Sequence, residues 1–125
     1  MQKPSQEEPG LTYTDEGEIQ WAAGVYEGEG YLYFNASQDS WTIGLEMCDK
    51  DVIDKMATLF PFNVTDSKRN NRAEHHQQPY HARVSARKTI FAIVCQLYPY
   101  LHARRREKCN EFLAWYAAKE NMRFD

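Results

Sequence analysis

Glu29 is the first residue whose type and place invite chemistry. It falls in the stretch Glu18–Gly30, EIQWAAGVYEGEG, where Ile19, Ala22, Ala23 and Tyr26 recur at helical spacing. That spacing predicts a helix stopping at Gly30, a glycine suited to a left-handed C-terminal cap. Glu29 then sits in the last turn, where the helix macrodipole disfavours an anion by roughly 0.3–1 kcal/mol. Helix stability does not explain it there, and a carboxylate is a hard oxygen donor. Glu27, two residues earlier, points about 200° away around the helix, which predicts a structural or solvent-facing role.

The same segment carries Gly24 and Gly28, four apart and therefore on one helix face with almost no side chain. A smooth stripe of this kind lets a second helix approach closely. No other segment repeats the pattern, so the expected partner is the same helix of a second copy. An isologous two-fold dimer follows, with Ala23, Gly24 and Gly28 expected at its interface.

The elements that must position this helix follow in order. Tyr31–Ala36 is aromatic and strand-like, and Ser37–Ser40 is a polar turn. Trp41–Met47 alternates, with Trp41, Ile43, Leu45 and Met47 on one face and Thr42, Gly44 and Glu46 on the other. Asp49 can cap a helix over Lys50–Phe60, whose inward positions are Val52, Ile53, Met56 and Phe60, and Pro61 ends it. Phe62–Ser67 and Tyr80–Ser85 read as a second hairpin, joined by a polar, basic loop from Lys68 to Pro79. Ser85 can cap a helix over Ala86–Leu97, with Ile90, Phe91, Val94 and Leu97 inward. After Pro99, a last helix runs from about Leu101 to Met122 on the stripe Cys109, Phe112, Leu113 and Tyr116.

Composition bounds the function classes. The 125 residues suit one domain, with 1–17 read as a tail and 18–125 as the folded unit. No run of about 18 apolar residues offers a membrane span, and the polar, acidic start excludes a secretory signal. Cys48, Cys95 and Cys109 are scattered without a C-x-x-C pair. They read as reduced thiols of an intracellular, cytoplasmic protein. His75, His76 and His81 lack cysteines at ligand spacing and read as polar residues, not a zinc site. The net charge is −3, yet ten basic residues between Lys68 and Lys108 face only Glu74 and Glu107. That asymmetry leaves a local positive field able to meet nucleic acid.

Ala22-Ala23-Gly24-Val25-Tyr26-Glu27-Gly28-Glu29-Gly30 resembles the LAGLIDADG motif in its common variant ending G-E-G. The two hairpins, the helix after each, and Pro99-Tyr100-Leu101 before a basic helix extend the resemblance from about Glu18 to Tyr116. It implies an α+β LAGLIDADG homing-endonuclease fold, αββαββα, with a curved antiparallel sheet and helices on one face, working as a homodimer. The implied activity is site-specific double-strand DNA cleavage of the homing type, by phosphodiester hydrolysis at a pseudo-palindromic site. Glu29, with Gly28 beside it, is implied as the holder of a divalent metal. Magnesium is expected, with manganese as an alternative, and no small-molecule cofactor. An intron-encoded member would work in an organelle instead of the cytoplasm.

Further site residues follow from the same resemblance. Arg104 lies where the family places a catalytic lysine, five residues after the proline. Arginine stabilises an anion but shuttles protons poorly, so electrostatic support is expected of it, and DNA backbone contacts of Arg105 and Arg106. Asp49 matches, more loosely, a region that orders water at the family's active site. Alternation assigns base readout to Tyr33, Asn35, Thr42, Glu46, His81, Arg83 and Ser85, with Lys68, Arg69 and Arg72 from the long loop. The rival readings are a cleavage-deficient DNA-binding regulator or RNA maturase, and a structural protein without a nucleic-acid partner.

Overall fold

The computed structural model describes residues 15–66 and 79–123. The chain order is α1 (Glu16–Glu29), β1 (Gly30–Asn35), β2 (Ser40–Met47), α2 (Lys50–Leu59), β3 (Asn63–Asp66), β4 (Tyr80–Val84), α3 (Arg87–Leu97), a 3-10 turn (Tyr98–Tyr100) and α4 (Ala103–Arg123). The strands form one antiparallel sheet in the order β1-β2-β4-β3. The helices cover one of its faces.

Alternation puts Leu32, Trp41, Ile43, Leu45, Ala82 and Val84 on the covered face. They meet Ala22, Ala23 and Tyr26 of α1, Ile53 and Met56 of α2, and Ile90, Ile93 and Val94 of α3 in one core. Cys109 and Phe112 dock α4 against it, with the Phe112 ring edge-on to Trp41. Burial pushes the Cys109 thiol up to about 11, the cost of an anion among apolar neighbours. At the far end of the β1–β2 hairpin, Asp39 accepts hydrogen bonds from Trp115 (2.9 Å) and from Lys119. It thereby pins the turn to α4.

The structure amends several expectations. Helix α1 begins at Glu16, one turn earlier than its apolar spacing suggests, with the Asp15 side chain capping it by accepting from the Glu18 amide at 2.8 Å. Gly30 is extended, φ −82°, and opens β1 instead of supplying a left-handed cap. Its role is steric: a Cβ there would collide with the Tyr26 ring. Asp49 occupies the N-cap position of α2, but its side chain makes no capping bond. Ser85 does not cap α3, where the N-cap is Ala86. Phe91 is 36% exposed and stacks on Tyr116 of α4 at 4.4 Å, while Ile93 takes the inward place. The stretch 67–78, with Lys68, Arg69, Arg72, His75 and His76, lies outside the described residues.

Candidate active site and nucleic-acid interface

Helix α1 divides its surface between core and open space. Ala22, Ala23 and Tyr26 turn inward, and Gly24 and Gly28 turn outward, where an added Cβ on either would meet nothing within 4 Å. The described residues therefore give no internal reason for two glycines on that face. Ala23 corrects the expected interface set: at 1% exposure it belongs to the protomer's own core. A helix turns about 100° per residue, so the position before Gly24 cannot share its outward direction.

Glu29 closes α1 exposed, with no hydrogen bond or ion pair among the described residues. No basic residue accompanies it in the last turn. The end of α1 thus combines a carboxylate with the negative pole of the helix, including carbonyls such as that of Gly28, which lack helical partners. Hard oxygen donors of this sort suit a divalent cation. Among the described residues no group of three or more His, Cys, Asp or Glu converges into a complete metal cage. Glu27 has a different task. Its carboxylate accepts from the His102 amide (2.9 Å) and its carbonyl from Arg105 Nε (3.2 Å), which fastens the start of α4 to the end of α1.

That fastening sorts the three arginines. Arg104 is exposed and lines a hollow with Tyr26, Tyr31, Leu32, Arg105 and Lys108 beside β1. Arg105 is half-buried, bonded to Glu27 and lying over the Tyr26 ring at 5.6 Å. Arg106 donates to the carbonyls of Tyr98 (3.1 Å) and Pro99 (2.8 Å) and covers the Tyr98 ring. The guanidinium groups of these two clasp the 3-10 turn and α1 within the protomer. Only Arg104 of the three has no such bond among the described residues.

Glu29, Asp49 and Arg104 come toward one end of the sheet. Gly30, next after Glu29, pairs with Leu45, and β2 ends at Met47, two residues before Asp49. The Asp49 side chain is exposed. Its backbone carbonyl serves the start of α2, accepting from Val52 and Ile53 at 3.1 and 3.2 Å.

Among the described residues, the sheet's other face carries no helix. Registered partners share a face, so Tyr33 and Asn35 of β1, Thr42 and Glu46 of β2, and His81 and Arg83 of β4 all lie on it, with Ser85 just beyond β4. The alternation expected for these residues is therefore correct, but not all of them are available. Thr42 is buried at 5%, its hydroxyl held by Asn35 (3.1 Å) and Ser85 (2.8 Å). Glu46 and His81 face each other at 3.2 Å. Tyr33 and Arg83 are exposed and line an open depression with Asn63 and Thr65 of β3. Asn63 and Thr65 were missed as face residues, though their register opposite Arg83 and His81 places them there. Tyr31, opposite Gly44, lies on this face as well, a position its place in an aromatic run does not single out.

No family model and no curated protein sequence matches the chain. Solved structures do. The homing endonuclease I-TnaI aligns with TM-score 0.59 at 16% identity, over 82% of this chain and 74% of that one. The group I intron-encoded homing endonuclease I-CeuI, complexed with DNA, aligns with TM-score 0.63 at 13% identity, over 91% of this chain and 61% of that one. The LAGLIDADG homing endonuclease I-LtrWI, bound to target DNA, gives TM-score 0.62 at 16% identity, over 86% and 39%. The chain spans about three quarters of I-TnaI and less than two thirds of I-CeuI. It has the LAGLIDADG homing-endonuclease fold. Among the described residues, no helix is long and apolar enough to cross a membrane.

Proposed function

We propose that the chain is a site-specific, divalent-metal-dependent DNA endonuclease that acts as a homodimer on a pseudo-palindromic duplex. The observation that carries this reading is Glu29: an exposed carboxylate, unpartnered among the described residues, ending a helix whose two-glycine face is open. Packing of two copies through Gly24 and Gly28 brings two such helix ends together. Their like charges repel until a cation or phosphate-bound metal intervenes, so the site is built to be completed by its substrate. A magnesium or manganese ion held there by Glu29 and the Gly28 carbonyl would neutralise phosphate charge and activate water.

The chain's own side chains supply the rest. Arg104, exposed beside β1, offers charge to the phosphate while Glu27 holds the start of its helix in place. Asp49 offers a carboxylate for ordering water at the same end of the sheet. The helix-free face, with Tyr33, Arg83 and Asn63 open on it, is the surface for base edges in the major groove. Lys68, Arg69 and Arg72 are proposed as added DNA contacts. An intracellular protein is proposed, cytoplasmic or organellar, in keeping with its three reduced thiols.

One observation favours a second reading, a DNA-binding protein that does not cut. The basic group at the proposed centre is an arginine, which transfers protons poorly. Incubation with a randomised duplex library and magnesium, followed by sequencing of cut ends and of bound duplex, separates the two. Cuts support the nuclease, and bound but intact duplex supports the regulator.

A further inference from the structure

Gly44 sits in the middle of the helix-free face, paired with Tyr31 on one side and Arg83 on the other. A Cβ on Gly44 would lie 2.5 Å from the Ala82 carbonyl, 2.7 Å from the Tyr31 hydroxyl and 2.8 Å from the Arg83 Cβ. The position is therefore empty of side chain so that Tyr31 can reach across β2. Its hydroxyl lies over Gly44 beside the root of the Arg83 side chain, and its ring leans on Tyr33 at 5.7 Å. Tyr31 is half-buried and Arg83 exposed, so a fixed residue holds the root of an open one.

The remaining charge on this face is differently arranged. Glu46 and His81 face one another, and Asn35, Thr42 and Ser85 form a closed hydrogen-bonded row. Among the described strand residues, Arg83 is thus the cation on this face whose fork stays open to a ligand. A guanidinium fork matches the paired acceptors of guanine, O6 and N7, in the major groove. Tyr31 lies two residues after Glu29, at the end of β1 nearest the proposed cleavage centre.

We propose that Tyr31 is a positioning residue, its hydroxyl reaching over Gly44 to fix Arg83 as the reader of one guanine in each half-site, adjacent to the centre of the target. The inference rests on the DNA-cleaving reading above and adds to it a residue and a base. The free side chain of an arginine samples many rotamers, and a hydroxyl at its root removes part of that freedom before DNA arrives, which raises discrimination at one base pair without adding affinity elsewhere.

The test is binding-site selection from a randomised duplex library with wild type, Tyr31→Phe and Arg83→Ala, each checked by urea unfolding. Wild type is expected to select a symmetric pair of G·C positions flanking the centre, preferred by roughly ten- to a hundredfold. Arg83→Ala should erase that preference and keep the others. Tyr31→Phe should weaken it several-fold at the same position only, with an unchanged unfolding midpoint. Enriched duplexes whose central-flanking pair is indifferent to Arg83, or a Tyr31→Phe profile identical to wild type, would overturn the inference alone. No enrichment by the wild type would overturn the DNA-binding reading itself, and this inference with it.

Discussion

Replacing Gly24 by alanine should make the isolated protomer more stable and the dimer weaker, and the opposition of signs is what gives the experiment its force. Inside a helix, alanine is favoured over glycine by about 0.8–1.0 kcal/mol. At Gly24 the new methyl meets nothing within 4 Å, so no steric term offsets that gain. For a urea dependence of about 1–3 kcal/mol per molar, the midpoint of dilute protein should rise by roughly 0.3–1 M. In a closely packed two-helix interface the same methyl is an overpacking error of about 1–3 kcal/mol. Two-fold symmetry introduces it twice, so the dimer dissociation constant should rise roughly 30-fold or more. Sedimentation velocity over a dilution series measures the association, and urea unfolding at each concentration measures the stability. The wild type should gain stability with concentration, and Gly24→Ala should cross below it. Lower stability of the variant in dilute solution would mean that the helix face is already occupied within the protomer. An unchanged dissociation constant would refute helix packing through the glycines, as would a dimer that survives Gly24→Leu.

Three further outcomes follow from particular contacts. Gly30→Ala should destabilise the protein by about 1–3 kcal/mol or more, because its methyl collides with the Tyr26 ring; a neutral urea midpoint would contradict this. Hydrogen bonds from Lys119 and Trp115 hold the Asp39 carboxyl below its ordinary value, so its stabilising contribution is present above the unfolded-state value near 3.9 and fades as pH falls through the folded one. The stability gap between wild type and Asp39→Asn should therefore close in strong acid, and a gap independent of pH would count against the contact. Cys48 and Cys95 are exposed and Cys109 is buried with its thiol pushed up to about 11, so a thiol reagent at neutral pH should label two cysteines in the native state and the third only on unfolding.

Much of this fold can be read from local pattern. Period-two alternation from Trp41 to Met47 and from Tyr80 to Ser85 assigns the two faces of the sheet correctly, because strand geometry leaves no other choice once one face is buried. What escaped reading depends on contacts made across sequence distance. Gly30 looks like a helix stop, and only the position of the Tyr26 ring reveals that its missing side chain is a matter of space. Thr42 alternates outward, yet β2 pairs with β4 instead of β3. It lies between Asn35 and Ser85 and is buried in the middle of the face. Arg104, Arg105 and Arg106 are indistinguishable as a run of charge. They differ because Glu27 and the carbonyls of Tyr98 and Pro99 engage two of the three. Glu29 and the outward glycines were legible because their departure from ordinary helix preferences is itself local.

The central claim is that Glu29 holds the metal at which DNA is cut, and the direct measurement compares wild type with Glu29→Gln on the randomised duplex library with magnesium. The substitution keeps the shape and removes the charge from an exposed side chain that bonds to nothing else among the described residues, so folding and duplex binding should be preserved. The expected result is recurrent cuts within a pseudo-palindromic sequence for the wild type, and binding to the same sequence without cuts for the variant. Equal cutting by both proteins would contradict the role assigned to Glu29.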